Sequence, residues 1–170
     1  MIALLSDTHR RDGHGLTGAA LTAVREADAV IHAGDVATAA VLDAFQSVAS
    51  ELYAVHGNVD EPAVRERLPA ERTVAVDGLR VAVRHRPEGG ETALAMFGRA
   101  READLVVFGH THRPTDVDAG DVLLVNPGSH ADPRGNRPGF ATVDSTASGL
   151  RGEIREPDGT LVESFAFDRE

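Results

Sequence analysis

The chain has 170 residues, room for one domain with a substantial core and too few for two, and 42% of them are hydrophobic, which excludes a disordered chain. Its 27 acidic against 17 basic residues leave a formal net charge of −10, and with no dense basic cluster a nucleic-acid duplex is not an expected partner. Cysteine is absent, which excludes disulfides and cysteine-held zinc, and no apolar stretch approaches the roughly 20 residues of a bilayer span, so no membrane partner is expected.

Ile2–Leu5 reads as a buried strand, preceded by no basic segment of the kind that opens a signal peptide, so a cytoplasmic location is expected. Leu16, Ala19, Ala20, Ala23, Val24 and Ala27 recur at helical spacing. Residues 29–31 form a second strand, and Thr38 suits the N-cap of a helix burying Val41, Leu42, Phe45 and Val48. Residues 52–55 form a third strand, and Pro62 sits at the first position of a short helix capped by Asp60 or Glu61.

The rhythm then changes. Residues 73–76 and Leu79–Arg84 flank Asp77-Gly78, a hairpin signal. Residues 92–103 read as a further helix and 105–108 as a buried strand. Strands are expected at 115–117, 122–125, 140–143, 150–155 and 161–167, with turns at Ala119-Gly120-Asp121 and Pro157-Asp158-Gly159. This order predicts an α/β chain with two packed mixed sheets flanked by helices, in a single domain, with a break near residue 115 separating the sheets.

Chemistry gathers where the apolar runs end. Asp7-Thr8-His9, Gly34-Asp35, Gly57-Asn58, His85 and Gly109-His110-Thr111-His112 each follow a predicted strand, and ligand sites in α/β sheets lie beyond strand carboxyl ends. The glycines before Asp35, Asn58 and His110 are expected to permit tight turns. Two carboxylates, one amide and four imidazoles suit Mn, Fe, Co, Ni or Zn rather than calcium. Two divalent cations held there would be net positive against two aspartates, would attract a phosphoester, and would activate a bridging water for in-line attack on phosphorus.

This ordered set of motifs resembles the calcineurin-like metallophosphoesterase superfamily, from Asp7 to the closing strands. Gly57-Asn58-Val59-Asp60 and Asn126-Pro127-Gly128-Ser129 are similar to its small YfcE-type phosphodiesterase branch. The resemblance implies an αββα four-layer sandwich and two divalent metal ions, manganese first among those named. It implies that Asp7, His9 and His112 hold the first metal, that Asp35 bridges, and that Asn58, His85 and His110 hold the second. Asp35, Asn58 and His85 are its expected catalytic residues.

Arg10 and Arg86 stand where the family often has glycine, and both are candidates to grip substrate phosphate, with Asp60 as a further candidate at the site. Val59 occupies the position at which the family's phosphomonoesterases place a leaving-group acid, histidine, so a phosphodiesterase is expected, acting on a small phosphoester. The rival readings are a non-enzymatic scaffold, since the superfamily includes a retromer subunit of this fold, and a phosphatase of monoesters or nucleotide polyphosphates. All 17 basic residues are arginine, which with the acidic excess suggests salt adaptation. The composition leaves open a homo-oligomer.

Overall fold

A computed structural model describes residues 1–169. Three parallel strands, β1 (Ile2–Leu5), β2 (Ala29–His32) and β3 (Leu52–Ala54), alternate with α1 (Gly18–Glu26) and α2 (Ala39–Val48). After α3 (Pro62–Arg67) the chain builds a second sheet from β4 (Glu71–Val76), β5 (Leu79–Arg84), β6 (Leu105–Val107), β7 (Thr115–Asp118) and β8 (Leu123–Asn126), with α4 (Gly90–Arg99) between β5 and β6. It then returns. β9 (Phe140–Ser145), β10 (Gly149–Arg155) and β11 (Leu161–Asp168) extend the first sheet, whose order is β11-β10-β9-β1-β2-β3, against β4-β5-β6-β8-β7 in the second.

The return corrects the expected division of the chain. No single break near residue 115 separates the sheets, because β7 and β8 remain in the second sheet and β9 pairs antiparallel with β1, Ala3 opposite Thr142. That pairing links segments about 140 residues apart and leaves no trace in local periodicity.

The continuous apolar runs reflect burial on both faces. Successive side chains of a strand point to opposite faces. Ile2, Leu4, Val81, Val83, Leu105 and Val107 therefore enter the core between the sheets. Ala3, Leu5 and Val30 instead meet the residues of α1, α2 and α3, while Ala82, Val106 and Leu124 meet those of α4. The result is the four-layer sandwich expected from the sequence.

Caps and turns explain the element ends. Thr38 Oγ1 accepts the Val41 N–H at 3.3 Å, capping α2 as expected. Glu61 occupies the N-cap of α3 without a side-chain cap, and its carboxylate instead accepts the Ala39 N–H of α2 at 2.8 Å. The fourth helix stops at Arg99 rather than running to 103: Ala103 N–H returns to Gly98 O and Glu102 N–H to Arg99 O, with Glu102 at φ 51°. That closure usually advertises itself by glycine, which is absent here, so the helical period overran. Among the described residues, no helix is long and apolar enough to cross a membrane.

Candidate metal centre

Five strand ends feed one rim of the sandwich. Asp7 and His9 follow β1, Asp35 follows β2, Asn58 follows β3, His85 follows β5, and His110 and His112 follow β6. The first four belong to one sheet and the last three to the other, so the cluster straddles the interface between them.

The backbone there is strained. Asp7, His9, Asp35, His110 and His112 have φ of 53°, 47°, 60°, 73° and 57°, in the left-handed region that L-residues avoid. Each such residue costs about 1–3 kcal/mol and persists where surrounding bonds over-determine it. Those bonds run between the loops: Asp7 N–H to Gly34 O at 3.0 Å, His9 N–H to Asp35 O at 3.1 Å, and His110 N–H to Asp7 Oδ2 at 2.9 Å.

The preceding glycines act in two ways. Gly34, at φ 97°, turns the chain as expected. Gly57 and Gly109 have no such φ and are required by close approach: a Cβ on Gly57 would lie 2.1 Å from Asp35 Oδ1, and one on Gly109 2.0 Å from Ser6 Oγ.

All seven candidate ligands converge. Asp35 Oδ2 lies 3.2 Å from His9 Nε2 and 3.1 Å from His85 Nε2, between one imidazole of each expected metal position. Asp7 Oδ1 lies 3.3 Å from His112 Nε2 and 3.6 Å from His9 Nε2. Asn58 Oδ1 lies 2.9 Å from His110 Nδ1 and 3.1 Å from His85 Nε2. The ligand atoms of Asp7, His9 and His112, and those of Asp7, Asp35 and His85, fall within 4.8 Å of one another.

Two of these atoms, Asp7 Oδ1 and His9 Nε2, are buried without a hydrogen-bond partner. Unpaired buried polar atoms are costly, and a divalent cation would satisfy both. The mixed oxygen and nitrogen donor set fits such an ion. Burial opposes ionisation of both aspartates, but neighbouring imidazoles outweigh it. Asp35 is held below the usual carboxylate range chiefly by the adjacent His85 and His9 imidazoles, and Asp7 chiefly by those of His9 and His85. Burial likewise opposes the charged form of His9, yet Asp35 and Asp7 raise its pKa to about 9.

The three further candidates have different placements. Arg10 turns away: its Nε donates to Asp12 O at 3.2 Å and its side chain packs beside Gly15. Asp60 is buried and fully engaged, Oδ2 accepting Gly57 N–H at 2.7 Å and Asp35 N–H at 3.1 Å while Oδ1 accepts Ala37 N–H at 2.7 Å. It ties the Asp35 loop to the Asn58 loop and is buried away from substrate. Arg86 is half exposed, with Nε 3.4 Å from Asn58 Oδ1. It lines a groove of about 290 Å³ that opens beside Asn58 and His85 and is also walled by His56, Arg65 and Arg84.

Residues outside the seven expected ligands support the site. Ser6 Oγ donates to Asp7 Oδ2 at 2.7 Å. Asn126, which opens the Asn126-Pro127-Gly128-Ser129 motif, donates to Gly109 O at 3.1 Å and Thr111 Oγ1 at 2.9 Å, and so steadies the two-histidine loop. Ser129 Oγ donates to Asp7 O at 2.6 Å. Asp132 and Arg134, whose only sequence signal was an acid-Pro-base run after that turn, sit against His9 and His112. His130, one residue beyond Ser129, is buried against Phe45 and donates to His14 O at 2.9 Å.

Residues 1–148 match the model of the calcineurin-like phosphoesterase superfamily domain. A probable metallophosphoesterase of Methanothermobacter thermautotrophicus is 30% identical, covering 99% of both chains. Another, from Methanocaldococcus jannaschii, is 33% identical over 79% of this chain and 70% of its own length. A phosphodiesterase of the same organism is 25% identical over 75% of this chain and 82% of its own. Among solved structures, a single-site variant of Vps29 from Entamoeba histolytica superposes with a TM-score of 0.80 at 22% identity, covering 98% of this chain and 99% of that one. That last likeness concerns the fold.

Proposed function

Because the chain belongs to the calcineurin-like phosphoesterase superfamily, we propose that it is a metal-dependent phosphodiesterase acting on a small phosphoester. The observation that carries this reading is the position of Asp35, whose Oδ2 stands 3.2 Å and 3.1 Å from imidazoles of the two ligand groups. In the bound state divalent cations would supply charge stabilisation on the phosphoryl oxygens and an activated water. Asp7, His9 and His112 would hold one ion and Asn58, His85 and His110 the other, with Asp35 shared.

The chain itself positions and excludes. Ser6, Asp60, Asn126 and Ser129 hold the loops, so the ligands need little reorganisation before reaction. Arg86 lines the groove beside Asn58 and His85 and offers its guanidinium to an anionic ester there. The preference for diesters rests on Val59. Its backbone N–H donates to Asp35 Oδ1 at 2.9 Å and its exposed side chain offers no proton to a leaving group.

An assay across Mn²⁺, Zn²⁺ and Co²⁺ with bis(p-nitrophenyl) phosphate and p-nitrophenyl phosphate tests this. The diester is expected to show the higher kcat/KM, and Asp35→Asn to lose more than about 100-fold, beyond the loss usual for a residue that merely supports a ligand. A higher kcat/KM for the monoester would overturn the diester preference. The fold likeness to Vps29 favours a scaffold as the second reading. Purified protein that retains no metal and gains no activity with Mn²⁺ would favour it over the hydrolase.

A further inference from the structure

The turn following Ser129 contributes none of the seven ligands, yet it closes against two of them. Ser129 Oγ, which donates to the carbonyl of Asp7, also accepts the Asp132 N–H at 2.8 Å, so residue 132 is tied to the backbone of a ligand. The Asp132 carbonyl accepts the Nδ1–H of His112. With that proton fixed on Nδ1, the Nε2 lone pair of His112 faces Asp7 Oδ1, 3.3 Å away.

The carboxylate of Asp132 addresses both rings. Its Oδ2 lies 4.0 Å from Nδ1 of His9 and 4.0 Å from Nδ1 of His112. The side chain is 37% exposed, and an approach about 1 Å closer would bring it to hydrogen-bond length. It is instead engaged by Arg134 Nε at 3.1 Å, while Nη2 of the same guanidinium stands 3.3 Å from His9 Nδ1. Arg134 takes up this place with a strained backbone, φ 50°.

That arrangement cannot serve a cation. A neutral imidazole that ligates through Nε2 carries its proton on Nδ1 and needs an acceptor there. A guanidinium has donors only, so Arg134 and His9 would present two donors to each other. The nearby acceptor is the carboxylate Arg134 now holds.

We propose that Asp132 is a positioning residue for the first metal position, orienting His112 through its carbonyl and His9 through its carboxylate, and that Arg134 competes for that carboxylate. The inference rests on the two-metal reading above. It gives the two charges of one turn opposite effects on the same ion, which a merely structural turn would not do.

Calorimetric titration of the chelator-stripped full chain with Zn²⁺ alone tests it, with nitrogen–proton correlation spectra of the histidine rings in the loaded state. Wild type is expected to bind two ions. Asp132→Ala should weaken one of them by about 10-fold or more, leave the other unchanged, and shift the Nδ1–H signals of His9 and His112 but not the signals of His85. Asp132→Asn, which keeps an acceptor oxygen, should restore part of the affinity, and Arg134→Gln should tighten the same ion. Two outcomes would overturn the proposal: an Asp132→Ala variant that binds both ions like wild type, or equal weakening by Asp132→Ala and Arg134→Gln. A wild-type chain that binds no Zn²⁺ would instead refute the metal reading itself.

Discussion

At Asp35 the chain holds a buried carboxylate in a left-handed backbone, with imidazoles on two sides and the Val59 N–H on a third. The cost is tolerable only because Gly57 leaves room for it. Gly57→Ala would place a methyl 2.1 Å from Asp35 Oδ1 and 2.7 Å from Asp35 N. The carboxylate and its loop must then move. The variant is expected to keep its far-ultraviolet spectrum and lose at least about 10-fold in Zn²⁺ affinity, read by calorimetry. Unchanged affinity would show that the Asp35 loop yields without effect. Identity was legible at this scale: Asp and His after apolar runs pointed to ligands. The reason for each glycine was not. Gly34 does meet the expected turn requirement, but Gly57 and Gly109 answer to atoms of distant loops, which no local pattern reveals.

At the scale of elements, α2 links the core to the site. Phe45 is fully buried on its inner face, and its ring meets those of His14, His32 and His130 at centroid distances of 6.0, 5.0 and 6.2 Å. Phe45→Ala is expected to cost about 3–5 kcal/mol in urea unfolding, the range for a large buried ring. Because His130 adjoins the turn that carries Asp132, the same variant should loosen metal binding; a loss under 1 kcal/mol, approximately, would mean that α2 closes the gap by itself. The helices and most strands were readable from period and caps, as at Thr38. The early end of α4 was not, since a non-glycine residue, Glu102, makes its left-handed closure.

For the whole molecule, two buried histidines contribute to the acid response. Burial lowers the pKa of His32 to about 3, assisted by the charge of His130, and burial lowers His130 to about 4. Above the ordinary value of 6.5 both are neutral in folded and unfolded chains and contribute no pH dependence. Below it the unfolded chain takes up protons that the folded chain refuses. Stability should therefore fall as pH drops from about 6.5 toward the folded values, by up to about 1.4 kcal/mol per pH unit for each histidine. Urea unfolding at about pH 7 and about pH 5 should show a smaller difference for His32→Asn than for wild type; equal differences would contradict the assignment. Salt acts on the net charge of −10. Screening that repulsion should outweigh the weakening of exposed ion pairs, each worth little, so the thermal midpoint is expected to rise from about 0.1 M to about 2 M KCl. A falling midpoint would count against salt adaptation.

The sequence by itself determined the layered α/β architecture, the places of the parallel strands to within a residue, and the seven residues gathered at one rim. These depend on alternation, helical period and the rule that ligands follow strand ends, all of which act within a few residues. Tertiary structure alone decided that β9 to β11 rejoin the first sheet and that His130 is core. It also turned Arg10 aside, spent Asp60 on binding two loops together, and brought Asp132 and Arg134 against His9 and His112. Each of those outcomes is a contact between segments far apart in the chain, fixed by which sheet edge remained to be paired and which buried polar atom remained to be satisfied.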